Sequence, residues 1–194
     1  MISPASEEDI VIDYFSTAMS FNWHPDNDGE GPHNDTNDPG GWTSWGVTFS
    51  EWLDWERKHG NYTASLDDFK KVLKETFLPL YRADYWNACR CGNMGPFGIA
   101  IFDAAVLSGP GNAAKLLQKA VAATVDGEIG PITIARFNQE DPNIVNEKFY
   151  QSRINFHNSC NNAPRYAGGW NRRAYDCKIL VQSILKPVTK QIIK

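Results

Sequence analysis

Asp26-Asn27-Asp28-Gly29-Glu30-Gly31-Pro32-His33-Asn34-Asp35-Thr36-Asn37-Asp38-Pro39-Gly40-Gly41-Trp42-Thr43-Ser44-Trp45-Gly46 is the stretch on which the reading of this chain turns. It belongs to a segment, Asn22 to Gly46, rich in Gly, Pro, Asp and Asn and without apolar periodicity, which predicts a turn-rich loop holding at most a short hairpin. A loop of that length inside a compact domain is uncommon unless it is functional. Chemistry is therefore expected here, on an irregular element held by a regular scaffold.

Outward from the loop, the sequence reads as helices. Glu7 to Met19 carries a helical apolar pattern with Ser6 as its N-cap. Thr48 or Ser50 caps a helix through His59, stopped by Gly60. Ser65 and Asp67 open another that runs past Pro79 toward Trp86, with Pro79 expected to kink or divide it. Gly95-Pro96 precedes an apolar helix, Phe97 to Val106; Gly109-Pro110-Gly111 breaks it, and Asn112 to Ala122 resumes. Pro131 suits a first helical position. Asp141-Pro142 leads a helix through Asn158. Gly168-Gly169 precedes a last helix, Asn171 to Leu185, ended near Pro187. The fold class is predominantly α, with the irregular loop or small β-hairpin near the N-terminus. A single compact domain over 1–194 is expected, with 1–92 carrying the site and 93–194 helical.

Composition narrows the field. Of 194 residues, 42% are hydrophobic and 22% charged, which excludes disordered, collagen-like and coiled-coil classes. No run approaches 18 consecutive apolar residues, so no transmembrane segment is expected. The first residues are acidic and polar where a secretory signal would be basic and then apolar. The net charge of −4 conceals an asymmetry: residues 1–68 hold 14 of the 23 Asp and Glu but only two of the 19 Lys and Arg. Either two faces attract each other within the fold, or the basic part meets an anionic wall or outer-membrane surface. No nucleic-acid-binding pattern is present. Cys89, Cys91, Cys160 and Cys177 include no CxxC; one bridge between the two pairs and free buried thiols are both open.

Three readings of the loop compete. Asp26, Asp28 and Glu30 alternate as in a calcium loop, but the twelfth position is Asn37 where a bidentate Glu is needed. The loop could merely cap its own turns. Or Glu30 and Asp38 are a carboxylate pair for glycoside hydrolysis, one protonating the leaving oxygen and the other serving water or the sugar. Trp42 and Trp45 would then offer flat apolar faces for sugar rings, and Thr43 a hydroxyl to hold water. The four histidines lack HExxH spacing, which argues against a zinc peptidase. Asp103, inside an apolar helix, requires a hydrogen-bonded or charged partner and reads as structural.

The run Glu30-Gly31 … Asp38-Pro39-Gly40-Gly41-Trp42-Thr43-Ser44-Trp45-Gly46-Val47-Thr48 resembles the signature of glycoside hydrolase family 108, peptidoglycan-cleaving lysozymes that include many phage endolysins and prophage products. Tyr81-Arg82-Ala83-Asp84-Tyr85-Trp86 is similar to the family's Tyr-x-x-x-Tyr-Trp segment. Phe102 to Gly111 is similar to its Phe-Asp-x-Ala-Val-Asn-Ser-Gly stretch. Val125-Asp126-Gly127-Glu128-Ile129-Gly130-Pro131-Ile132-Thr133 resembles the Asp-Gly-x-x-Gly-Pro-x-Thr motif of the accompanying peptidoglycan-binding region. The four blocks lie in order over about residues 25 to 175. Pro32 and Leu107 depart from the pattern, and the stretch between Glu30 and Asp38 is one residue short.

The resemblance implies a lysozyme-like helical domain, with 1–92 catalytic and 93–194 bearing the peptidoglycan-binding-like motif. It implies a muramidase that cuts the β-1,4 bond from N-acetylmuramic acid to N-acetylglucosamine, without metal or cofactor. The alternative is a cell-wall-binding or structural protein that keeps the fold without the cut. Glu30 would be the general acid, partly buried and with a raised pKa. Asp38 would be its ionised partner and Thr43 the water holder, an arrangement suited to inversion. Trp42, Trp45, Tyr85, Trp86 and Ser108 would bind substrate. Trp86 competes with a core role, since helical apolar spacing usually means burial. The partner would be glycan strands, met by a monomer made in the cytoplasm that acts on the wall after release.

Overall fold

The computed structural model describes residues 13–35 and 40–185. Asp13 caps helix α1 (Tyr14–Asn22) by accepting a hydrogen bond from the Phe15 amide. The cap is therefore Asp13; Ser6 lies outside the described residues. Three short strands follow, β1 (His33–Asn34), β2 (Trp42–Ser44) and β3 (Val47–Thr48). They form an antiparallel sheet in the order β1-β2-β3, with His33 opposite Thr43 and Thr43 opposite Thr48. Thr48 then ends the sheet and caps α2 (Phe49–Lys58), its hydroxyl accepting from the Glu51 amide.

The helix expected from Ser65 past Pro79 is broken earlier than the proline. Ser65 and Asp68 make a reciprocal capping box on α3 (Leu66–Phe69), which ends after one turn. A 3₁₀ turn (Lys74–Phe77) leads into α4 (Leu78–Leu80), where Pro79 occupies the first turn and costs no hydrogen bond. A widened π-helical turn, Tyr81–Asn87, continues it.

The apolar run becomes a 3₁₀ segment (Cys91–Phe97) and α5 (Gly98–Ser108), whose residues Gly98 to Ala105 are all buried. Gly98 has no room for a side chain: a Cβ there would sit 2.3 Å from the Cys91 carbonyl oxygen. By length and hydropathy Cys91–Ser108 could cross a membrane, but 61% of it is buried inside the protein, as the central helix of the core. Around α5 pack α1, α6 (Pro110–Ala120) and α9 (Ala163–Leu185), with α8 (Pro142–Ser159) against α6 and α9 and α7 (Pro131–Asn138) against α8. Pro131 and Asp141-Pro142 start their helices as the sequence predicts. Helix α9 begins eight residues before the predicted Asn171 and carries Gly168 and Gly169 within it. The fold is lysozyme-like and predominantly helical, with its small sheet near the N-terminal end.

Aromatic rings build the core beneath the sheet. Phe15 meets Trp86 and Phe102 edge-on at 5.5 and 5.8 Å, and Phe102 also meets Tyr81. Asp103 finds the partner its burial demands in two arginines: Arg153 at 2.6 Å and Arg173 at 2.7 Å. All four cysteines are free, and Cys89, Cys91 and Cys177 are buried.

Candidate active site

The hairpin positions Glu30 through its backbone. The Trp45 amide donates to the Glu30 carbonyl at 2.7 Å, fixing the chain just before Gly31. Trp45 and Gly46 form the two-residue turn between β2 and β3, with φ of 52° and 83°. A turn with both central residues left-handed matches the twist of the strands, but a tryptophan at its first position is strained. Its carbonyl is held twice, by the Tyr81 hydroxyl at 2.7 Å and by the Trp23 indole N–H at 3.3 Å.

Gly46 must be glycine for a second reason. A Cβ there would lie 2.7 Å from the Tyr81 hydroxyl and 2.8 Å from Asp28 Cβ. Gly46→Ala is expected to destabilise the protein by roughly 2 kcal/mol or more, from strain at positive φ plus the clash. Gly31→Ala, whose Cβ would have nothing nearer than the Trp45 ring at 3.9 Å, is the control. Urea unfolding midpoints of the two variants check this.

The carboxylates of the loop divide by environment. Asp28 is bonded at 2.6 Å to Arg173, a guanidinium that is itself buried and also bonds Asp103 and Asn22. Asp28 is therefore an anchor of the loop. The Glu30 side chain is 72% exposed, with His33 Nδ1 at 4.0 Å from its carboxylate. The partial burial expected of Glu30 is not found. Its exposure leaves the carboxyl group open to solvent.

Thr43 is half-buried on β2, its hydroxyl donating to the Gly41 carbonyl at 3.4 Å. Directly paired residues of an antiparallel sheet share a face, so Thr43 lies on the face that carries His33, and His33 reaches Glu30. Asp38 lies outside the described residues. Trp42 and Trp45 are half-buried, with Lys70 Nζ 4.3 Å above the Trp42 ring and Lys74 Nζ 5.6 Å from the Trp45 ring.

Of the residues expected to bind substrate, Trp86 and Tyr85 are engaged within the fold, and Ser108 lies at a cavity. Trp86 is 5% exposed, packed between Phe15 and Phe102, and presents no face to a sugar. Its helical apolar spacing, which favoured a core role, is that of a core stripe. Tyr85 gives its hydroxyl to Glu51 in a short hydrogen bond. Burial pushes the Glu51 carboxyl above its ordinary value, against the pull of that hydrogen bond; burial and the Glu51 charge push the Tyr85 hydroxyl up. Ser108 closes α5, its hydroxyl donating to the Ala104 carbonyl at 2.7 Å, and lines a cavity with Trp170 and His157.

Sequence reasoning passed over His33 as a neighbour of Glu30, and Arg173 as the anchor of Asp28. The Asp126 to Thr133 motif is built around buried Gln118, which donates to Asp126 at 2.6 Å and to the Glu128 carbonyl at 2.9 Å and accepts from the Gly127 amide. The motif's aspartate and glycine thus serve a local turn. The charge asymmetry has a local counterpart: Arg165, Arg172 and Arg173 of α9 reach Asp35, the Asp26 carbonyl and Asp28.

Comparison with known proteins agrees with the fold and the motifs. The structure of Brucella abortus SagA superposes with a TM-score of 0.80 at 24% identity, covering 90% of this chain and 97% of that one. That likeness concerns the fold. No curated protein matches. The model of the family described as Glycosyl hydrolase 108 matches residues 27–109, which include the hairpin, Glu30 and the Tyr81 to Trp86 turn. Over residues 27–109, then, the chain is similar to the glycosyl hydrolase 108 family.

Proposed function

We propose that the protein is a muramidase, hydrolysing the β-1,4 bond between N-acetylmuramic acid and N-acetylglucosamine in peptidoglycan, in the manner of an endolysin. The family match supports glycoside hydrolysis with peptidoglycan as substrate. The observation that carries the finer reading is the contrast between Asp28, neutralised by Arg173, and Glu30, open to solvent on a loop pinned by the Trp45 amide.

Glu30 donates a proton to the leaving glycosidic oxygen. Asp38 acts as the ionised partner and Thr43 holds the attacking water. Trp42 and Trp45 present ring surface beside the site. His33, 4.0 Å from Glu30, supplies a second polar group on the same face. Release of new reducing ends from purified peptidoglycan tests the reading; a protein that only sediments with the wall, releasing none, would be a binder.

The basic part of the chain supports a second proposal, docking to an anionic wall. Exposed charges are screened over about 10 Å at 0.1 M salt. Sedimentation with intact wall is therefore expected to fall between 50 and 300 mM NaCl, with hydrolysis of short uncharged oligosaccharides changing less. Equal salt sensitivity in the two assays would remove the docking proposal.

A further inference from the structure

A cavity of about 140 Å³ lies where the end of α5 meets α8 and the start of α9, lined by Leu107, Ser108, Phe156, His157, Cys160 and Trp170. Its composition is that of a small recognition site: apolar walls and a few placed polar groups. Half-buried Trp170 stacks on Tyr166 at 5.6 Å and 26°, and lies 5.8 Å from the His157 ring. The Tyr166 hydroxyl is buried and has no hydrogen-bond partner among the described residues.

The polar groups have defined roles. Asn171 donates through its amide nitrogen to Asn158 at 3.1 Å, so its oxygen faces His157 Nδ1 at 3.0 Å as an acceptor. His157 Nδ1 then carries the hydrogen, and Nε2 is left as an acceptor in a neutral ring. Burial first, and the Arg153 charge second, lower the proton affinity of His157, which keeps the ring neutral near pH 7. Ser108 Oγ donates to Ala104 and keeps its lone pairs for an N–H.

Helix α9, which supplies Trp170 to this cavity, also contacts the loop that holds Glu30. Tyr166, Trp170, Arg173 and Cys177 follow the i, i+4, i+7, i+11 spacing of one helix stripe. Arg173 and Cys177 are buried in the core, and the stripe emerges from it at Trp170 and Tyr166. On the adjoining stripe Arg165 reaches Asp35 at 3.4 Å and Arg172 reaches the Asp26 carbonyl at 3.3 Å. Over the roughly 12 Å from Arg165 to Arg173, α9 therefore runs along the segment that holds Glu30.

We infer that Trp170 and the cavity beside it form a subsite for a 2-acetamido sugar of the glycan strand. The Trp170 ring takes the apolar face of the pyranose. His157 Nε2 or Ser108 Oγ accepts from the acetamide N–H, and the acetamide methyl fills the space against Leu107, Phe156 and Cys160. The inference rests on the muramidase reading for its ligand class, but its test does not need turnover.

The test titrates Glu30→Gln with tri-N-acetylchitotriose and with cellotriose, which has hydroxyls in place of the acetamido groups. The Trp170 indole N–H resonance, assigned by its loss in Trp170→Phe, is expected to shift with chitotriose and not with cellotriose. In Trp170→Ala, chitotriose affinity is expected to fall about tenfold or more, with KM on peptidoglycan rising more than kcat falls. An unmoved Trp170 resonance in the folded parent, or equal response to both sugars, overturns the subsite even if the wild type cleaves peptidoglycan normally. A wild type that releases no reducing ends contradicts the muramidase reading, while a chitotriose-specific shift at Trp170 would still support the subsite.

Discussion

Glu30→Gln should release reducing ends from peptidoglycan at about one hundredth of the wild-type rate or less, since it keeps shape and polarity but removes the transferable proton. Stability should scarcely change. The side chain is 72% exposed, and the ion pair nearest to it, with His33 at 4.0 Å, is a surface contact of little energetic weight. Asp28→Asn should behave oppositely. It weakens a charged contact to buried Arg173 at 2.6 Å and so lowers the melting temperature. Any rate loss in Asp28→Asn should follow from the loosened loop and recover on cooling. If Glu30→Gln keeps near-normal activity while a folded Asp28→Asn has none, the acid has been assigned to the wrong carboxylate.

Arg173→Ala should be the most destabilising single change, by about 3–5 kcal/mol, because it strips a partner from a carboxylate with nowhere to hydrate. Asp103 is 1% exposed and would keep Arg153 alone. The same substitution frees Asp28 and removes a hydrogen bond to Asn22. A pH dependence follows. Burial pushes the Asp103 carboxyl up, but the charges of Arg173 and Arg153 outweigh it and hold the group below its ordinary value. A depressed folded pKa gives stability that is present above the unfolded value of about 3.9 and is lost as pH falls through the folded one. Wild-type stability should therefore fall on acidification below about pH 4, and the decline should be shallower in Arg173→Ala. Denaturant midpoints of both proteins from pH 7 to pH 2.5 test this. Parallel acid limbs would mean that Arg173 does not hold Asp103 ionised.

The starts of elements were legible wherever the cause is local. Thr48 caps α2 with its own hydroxyl, Asp141 caps α8, and Pro131 needs no amide hydrogen at its position. The break between α3 and the 3₁₀ turn at Lys74 was not legible, since no glycine or proline marks Lys70 to Leu73. Gly168 and Gly169 misled in the other direction. A glycine costs a helix about 1 kcal/mol, yet α9 continues through both, with Arg165 beyond them bonded to Asp35.

The site divides in the same way. Glu30 and Thr43 stood out through motif and loop chemistry, which are contiguous in sequence. Arg173 sits 145 positions from Asp28, and its role follows from a tertiary contact that no spacing encodes. Trp86 takes the core role that its helical apolar spacing favoured, and not the substrate-binding role that the resemblance implied.

The central proposal is cleavage by water on the muramic acid side of the bond. Digested peptidoglycan should be reduced with borohydride, hydrolysed and analysed for amino-sugar alcohols. The account expects muramitol to accumulate with time in the wild-type digest and to be nearly absent with Glu30→Gln. Glucosaminitol, 1,6-anhydro-muramic ends, or no new reducing end from a folded wild-type protein would contradict it.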